Sequence, residues 1–105
     1  GVAAVLYEWA DSCQQSFLLE ESSIPVGHEV RAVCELLGLD PLHLANEGTC
    51  VIATKPELVT RTLETLREFE VTQGATVIGQ AASRRMVPVV LRRAIGSEVP
   101  LDEPS

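Results

Sequence analysis

Apolar residues recur at three- and four-residue spacing in the first part of the chain, which predicts helices with one buried face. The first helix runs from the start of the chain to about Ser12 and places its apolar residues on one side. A second helix is predicted from His28 to Leu37, with Gly38 as its C-terminal stop. The predicted buried residues are Val2, Val5, Leu6, Trp9, Ala10 and Cys13 in the first helix and Val30, Val33, Cys34 and Leu37 in the second.

Other segments carry the patterns of strands. Phe17 to Glu20 is a short strand candidate, and Thr49 to Thr54 is apolar on nearly every residue, as expected for a strand covered on both faces. Ala75 to Ala81 and Met86 to Arg92 are two further candidates, with Ser83, Arg84 and Arg85 as a hairpin turn between them. The tail from Gly96 is polar and is predicted to be loose.

A third helix is predicted from Pro56 to about Glu68, because proline fits a first helical turn and Glu57 suits the positive end of the helix dipole. Its predicted inner face consists of Leu58, Val59, Thr62, Leu63, Leu66 and Phe69. This order of elements predicts an α+β fold in which helices pack on a mixed sheet of about four strands. We treat residues 1–105 as one domain of a longer protein, because the sequence enters a helical pattern at once without an initiator Met.

Composition narrows the possible functions. The 105 residues are 46% hydrophobic with a net charge of −7, which indicates a folded domain and argues against nucleic acid or an anionic membrane as partner. The three cysteines, Cys13, Cys34 and Cys50, form no Cys-x-x-Cys pair. We therefore predict buried structural thiols, no metal site and a cytoplasmic location.

Few residues have the spacing that catalysis requires. No glycine-rich phosphate loop is present, and neither His28 nor His43 has a partner at metal-ligand spacing. The pairs Arg84–Arg85 and Arg92–Arg93 fit solvated turn charges better than a phosphate site. Glu47 stands between Asn46 and Gly48, directly before the most apolar segment; from the residues alone, a common turn and a mounted catalytic carboxylate both remain open.

Several segments resemble one family over essentially the whole chain. Ala32 to Gly48 (AVCELLGLDPLHLANEG), Ala75 to Gln80 (ATVIGQ), Val89 to Arg92 and Pro100 to Asp102 are similar to HypE, a family of hydrogenase maturation proteins. HypE belongs to the superfamily of aminoimidazole ribotide (AIR) synthase and selenophosphate synthase. The resemblance implies a PurM C-terminal-domain-like, three-layer α/β/α sandwich that is partly ferredoxin-like.

The resemblance also implies an activity for the longer parent protein. An N-terminal domain would dimerise and bind ATP and magnesium. HypF would supply a carbamoyl group to a cysteine at the C-terminus, ATP-dependent dehydration would give a thiocyanate, and the cyanide would pass to iron held by HypC and HypD. This chain contains neither the ATP-binding half nor that terminal cysteine, so we expect the isolated domain to be inactive and to hold no cofactor.

In this reaction Glu47 would be the base that removes protons from the amide nitrogen, since a partly buried carboxylate has a raised pKa. Asn46 would hold the carboxylate or the amide, and Gly48 and His43 would complete the pocket. Two alternatives keep the fold: another ATP-dependent enzyme of the superfamily, or a regulatory module that binds a small metabolite.

Overall fold

The structure is a computed structural model that describes residues 2–26, 28–38 and 49–101. The described residues form three α-helices, four strands and short 3₁₀ turns. The helices are α1 (Val2–Cys13), α2 (His28–Leu37) and α3 (Val59–Arg67), and the strands are β1 (Gln15–Glu20), β2 (Gly79–Ser83), β3 (Val89–Arg92) and β4 (Glu98–Pro100). Within this part of the chain, no helix combines the length and apolarity needed to cross a bilayer.

The strands form one mixed sheet in the order β2-β1-β3-β4. β1 is antiparallel to β2 and parallel to β3, and β3 is antiparallel to β4. The prediction of a mixed sheet of about four strands is confirmed. The predicted hairpin between the third and fourth candidates is wrong, because β1 inserts between β2 and β3 and residues 84–88 must cross the end of β1.

The core lies between α1 and one face of the sheet. Phe17 and Leu19 of β1 are in register with Val89 and Leu91 of β3, so all four side chains point to the same face. They pack with Ala3, Leu6 and Ala10 of α1 and with Leu101. The rings of Trp9 and Phe17 lie 6.1 Å apart with a tilt of 50°. Burial of each large apolar side chain contributes about 1.5–3 kcal/mol, so this cluster is the main source of stability.

The opposite face of the sheet is covered in part. Val90 points to that face and is 8% exposed, and Cys34 of α2 is 2% exposed; neither belongs to the cluster against α1. The predicted bounds of α2 are confirmed, and Gly38 has a positive φ of 69°, as a C-terminal glycine does. Leu37 is a correction: it was predicted to be buried but is 62% exposed.

The predicted burial of the cysteines is wrong for two of the three. Cys34 is buried as predicted, whereas Cys13 and Cys50 are exposed. Cys13 is the last residue of α1, and the buried residues of that helix are Ala3, Leu6 and Ala10. Cys50 is exposed because residues 49–54 do not form the predicted buried strand: no ladder of hydrogen bonds joins them to another described strand.

The bounds of the third helix and of three strands differ from the prediction, and the strand bounds follow from hydrogen bonding between strands. The predicted helix from Pro56 to Glu68 starts as a 3₁₀ turn, and its inner face is half-buried, with Leu58 and Phe69 exposed. β2 and β3 both begin later than predicted, where their pairing with β1 begins. The tail predicted to be loose contains β4, since Gly96, with φ of 94°, closes a turn after β3.

The end of α1 is held by a side chain that was predicted to be a solvated turn charge. The Arg84 guanidinium donates to the carbonyl oxygens of Ala10 at 3.2 Å and Gln15 at 3.4 Å. Ala10 is in the last helical turn, where carbonyls lack intrahelical partners. Gln14 follows the helix with a φ of 54° and donates from its side chain to the Asp11 carbonyl at 2.7 Å. The helix therefore turns sharply into β1.

We predict that Gly79→Ala destabilises the domain by about 1–3 kcal/mol, in the range of other overpacking substitutions. A Cβ at Gly79 would overlap the carbonyl oxygen of Leu18 and lie 2.9 Å from the Cα of Leu19, so backbone in β1 or β2 must move. Urea denaturation measures the loss. The control is Gly74→Ala, because a Cβ there meets nothing within 4 Å; equal effects of the two substitutions would contradict the close approach of β2 to β1.

We predict that Ser16→Ala costs about 1–3 kcal/mol, because it removes the partner of a buried backbone group. Ser16 is fully buried; its hydroxyl donates to the Val87 carbonyl at 3.0 Å and accepts from the Arg85 amide at 2.8 Å. Thermal or urea unfolding would report the change, with the exposed Ser83→Ala as control. A stability equal to that of the parent sequence would show that water replaces the hydroxyl.

Candidate functional site

The predicted site residues Glu47, Asn46, Gly48 and His43 lie outside the described residues. Thr49 directly follows Gly48 in the sequence and is the first described residue after the predicted site. Thr49 and Cys50 are exposed to solvent and line a cavity of about 300 Å³. The cavity is therefore lined by the residues that directly follow the predicted site in the sequence.

Five separate segments enclose the cavity: α1, β1 with the residues after it, residues 49–54, α3, and residues 75–81. Taken together, the five segments present mainly carbon surface to the cavity. The described lining residues are Val2, Leu6, Trp9, Phe17, Leu19, Ile24, Pro25, Thr49, Cys50, Val51, Ile52, Ala53, Thr54, Val59, Thr62, Leu63, Leu66, Ala75, Thr76, Val77, Ile78, Gly79, Gln80 and Ala81. None of them carries a charge, so these described wall residues provide no carboxylate base and no cation.

One arginine joins two walls of the cavity. The Arg67 side chain, in the last turn of α3, donates to the Ala75 carbonyl from Nε at 3.3 Å and from Nη2 at 3.1 Å. Leu66 and Ala75 both line the cavity, so this paired hydrogen bond fixes α3 relative to residues 75–81. On the sheet side, Gly79 allows β2 to approach β1 closely, which brings Gln80 and Ala81 into the wall.

The arginine pairs lie elsewhere and are engaged with protein groups. Arg92 contacts Glu20 and Glu98, each at 3.4 Å, on the sheet face opposite α1. Arg85 contacts Glu98 at 3.4 Å, and Arg93 contacts Glu21 at 2.7 Å. All these side chains are more than a third exposed, so the pairs contribute little to stability. They neutralise the charges that a phosphate group would need.

The described residues do not fit a magnesium–triphosphate group. Its recognition needs free cationic side chains, backbone amides in a glycine-rich loop, or carboxylates that hold the metal. The described part of the cavity wall has no charged side chain, and no group of three or more His, Cys, Asp or Glu residues in the described segments is placed to hold a metal ion. We therefore assign no step of ATP chemistry to this part of the chain.

Sequence reasoning missed Cys50, Arg67 and Gly79 as features of the cavity. Gly79 gave the clearest signal, because a glycine inside a strand pattern often marks close backbone approach. Cys50 lies in the segment that is predicted to be a buried strand, and Arg67 is not among the residues of the predicted inner face of its helix. Their contributions depend on contacts between segments distant in sequence, which local patterns do not contain.

Comparisons with known proteins agree over most of the chain. Residues 1–91 match the family described as "AIR synthase related protein, C-terminal domain". A putative hydrogenase expression/formation protein of Methanocaldococcus jannaschii is 36% identical over 99% of the chain and 32% of its own length. Carbamoyl dehydratase HypE of Escherichia coli is 41% identical over 83% of the chain and 26% of its own length. The chain thus spans about a third or less of these relatives.

Solved structures show the same fold. A chain in the crystal structure of a HypE–HypF complex superposes with a TM-score of 0.93 at 32% identity, over 99% of this chain and 33% of that chain. HypE in complex with ATP superposes with a TM-score of 0.89 at 33% identity, over 100% of this chain and 33% of that chain. The α+β, PurM C-terminal-like fold expected from the sequence is confirmed. The chain therefore belongs to the family of AIR synthase related proteins, C-terminal domain, and within that family it is similar to the hydrogenase maturation protein HypE.

Proposed function

We propose that this chain is the C-terminal domain of a HypE-type carbamoyl dehydratase, which takes part in maturation of nickel–iron hydrogenases in the cytoplasm. The proposal is supported by sequence similarity to enzymes of that name over 83% of the chain and by TM-scores of 0.89–0.93 to HypE structures. The active parent would contain an N-terminal domain that forms the homodimer and binds ATP and magnesium. The isolated domain would then be inactive.

The proposed reaction dehydrates a carbamoyl group carried on a cysteine thiol at the C-terminus of the parent. HypF would donate the carbamoyl group, in keeping with the known HypE–HypF complex, and ATP would be consumed, in keeping with the HypE complex with ATP. Loss of the amide oxygen and both amide protons gives a thiocyanate. HypC and HypD would hold the iron that receives the cyanide.

We assign the removal of the amide protons to Glu47. The observation that supports this role is that Thr49, two residues further along the chain, lines a cavity whose described wall residues are all uncharged. The proposed role needs a basic carboxylate, and desolvation by apolar surroundings raises the pKa of a carboxylate above its value in water. Asn46 would orient the carboxylate or the amide by hydrogen bonds, and Gly48 and His43 would form the adjoining pocket.

Glu47→Gln in the full-length parent tests this assignment. The amide keeps the shape of the side chain but is not basic, so we expect thiocyanate formation to fall at least about 100-fold while ATP binding is unchanged. Mass spectrometry of the terminal peptide distinguishes the carbamoylated cysteine from its dehydrated form.

The matched control is Glu57→Gln, which neutralises an exposed carboxylate in the turn before α3. It should dehydrate the carbamoyl group at the rate of the parent. A normal rate for Glu47→Gln would remove Glu47 from the mechanism. A parent without any terminal cysteine would instead favour another ATP-dependent reaction of the AIR synthase superfamily.

A further inference from the structure

Leu101, which directly follows β4, is held by three different contacts. Its side chain is 4% exposed and belongs to the core cluster against α1. Its amide donates to the Val89 carbonyl oxygen at 2.9 Å, which extends the pairing of β4 with β3 by one residue. Its carbonyl oxygen accepts a hydrogen bond from the Tyr7 hydroxyl of α1. Leu101 is therefore tied to the core, to the sheet and to a helix at the same time.

The strand before Leu101 is fastened as well. Val99 is half-buried against the core cluster, and Glu98 contacts Arg92 of β3 at 3.4 Å. The turn that leads into β4 is closed by a hydrogen bond of 2.8 Å from the Arg93 amide to the Ser97 carbonyl oxygen. These contacts fix the backbone from the end of β3 to the end of β4.

The Tyr7 contact differs from the others in what it fixes. The Tyr7 ring packs against the core cluster, and its hydroxyl reaches the carbonyl oxygen of Leu101. That carbonyl belongs to the planar peptide group that joins Leu101 to Asp102, so its orientation sets the direction in which the backbone leaves Leu101. The buried Leu101 side chain and the amide bond to Val89 would complete the core without setting this direction.

The proposed function, on which this inference rests, gives the fixed position a use. In the proposed reaction the carbamoyl group is carried on a cysteine at the C-terminus of the parent, beyond Leu101 in the sequence. The effective concentration of a tethered group falls as its flexible segment lengthens beyond the distance to be spanned. We propose that Leu101 is the anchor from which the segment with the reactive cysteine reaches the site, and that Tyr7 is a positioning residue that holds this anchor.

Two insertions of equal length test the anchor in the full-length parent. A glycine–serine segment of about 20 residues between Leu101 and Asp102 lies beyond the anchor, whereas the same segment between Ala94 and Ile95 lies before it. We expect the first insertion to lower the rate of thiocyanate formation at least about twofold and the second to leave the rate unchanged. Mass spectrometry of the terminal peptide measures both rates.

Both insertions add the same length between β3 and the cysteine, so equal effects in an active parent would overturn the proposal. Hydrogen exchange at the Leu101 amide shows whether β4 stays paired with β3 in each variant; loss of this pairing in the Ala94–Ile95 variant would also overturn it, because the anchor is then too weak to act. A parent without an insertion that forms no thiocyanate would refute the proposed function itself.

Tyr7→Phe tests the positioning residue, because it keeps the aromatic ring and removes the hydroxyl. We expect the Leu101 amide to exchange about fivefold faster, the factor for loss of one net hydrogen bond, and thiocyanate formation to slow at least about twofold with ATP binding unchanged. The control Ser16→Ala removes a buried hydroxyl that does not touch Leu101, so it should leave the rate of thiocyanate formation unchanged. Equal slowing by both substitutions, or a parent-like rate for Tyr7→Phe, would leave the Tyr7 hydroxyl a purely structural role and overturn its assignment.

Discussion

The fold depends on the position of β1 between two partner strands. β1 pairs with β2 on one side and with β3 on the other, and its side chains Phe17 and Leu19 pack against α1. This arrangement constrains the chain at both edges of β1. Gly79 has no room for a side chain because β2 lies against the β1 backbone, and Ser16 satisfies the backbone of the connection that crosses the end of the strand. The same strand forms one wall of the cavity, so the position of β1 also shapes the candidate site.

Features set by local interactions could be predicted from the sequence. Helices α1 and α2, the strand at Phe17 to Glu20 and the C-terminal Gly38 follow from periodicity and from the conformational freedom of glycine. Features that depend on which segments pair as neighbouring strands could not be predicted from the sequence. The apolar run at residues 49–54 has strand composition, yet strand structure needs a neighbour that donates and accepts hydrogen bonds. The short segment Glu98–Pro100 has weak strand composition but pairs with β3, because the turn at Gly96 brings it to a free sheet edge.

The same distinction applies to the candidate site: its turn could be predicted from local sequence, and its cavity could not. The sequence predicts a turn at Asn46, Glu47 and Gly48 before an apolar segment. The resemblance to HypE implies a reaction in which the Glu47 carboxylate would act. The cavity has no such local signature, because five separate segments form its wall and the Arg67 bond to Ala75 joins two of them. Only the structure shows that the residues following the predicted turn enter an apolar wall rather than a buried strand.

The apolar character of the cavity bears directly on the proposed chemistry. Dehydration of an amide in water is opposed by the solvent, and an enclosed apolar site keeps water from the activated group and makes a nearby carboxylate more basic. The same carbon surface, left open in this domain at Ile52 and Val77, is unfavourable in contact with water. In the proposed reaction the described apolar wall would exclude water, while the basic group would come from the residues that precede Thr49 in the sequence.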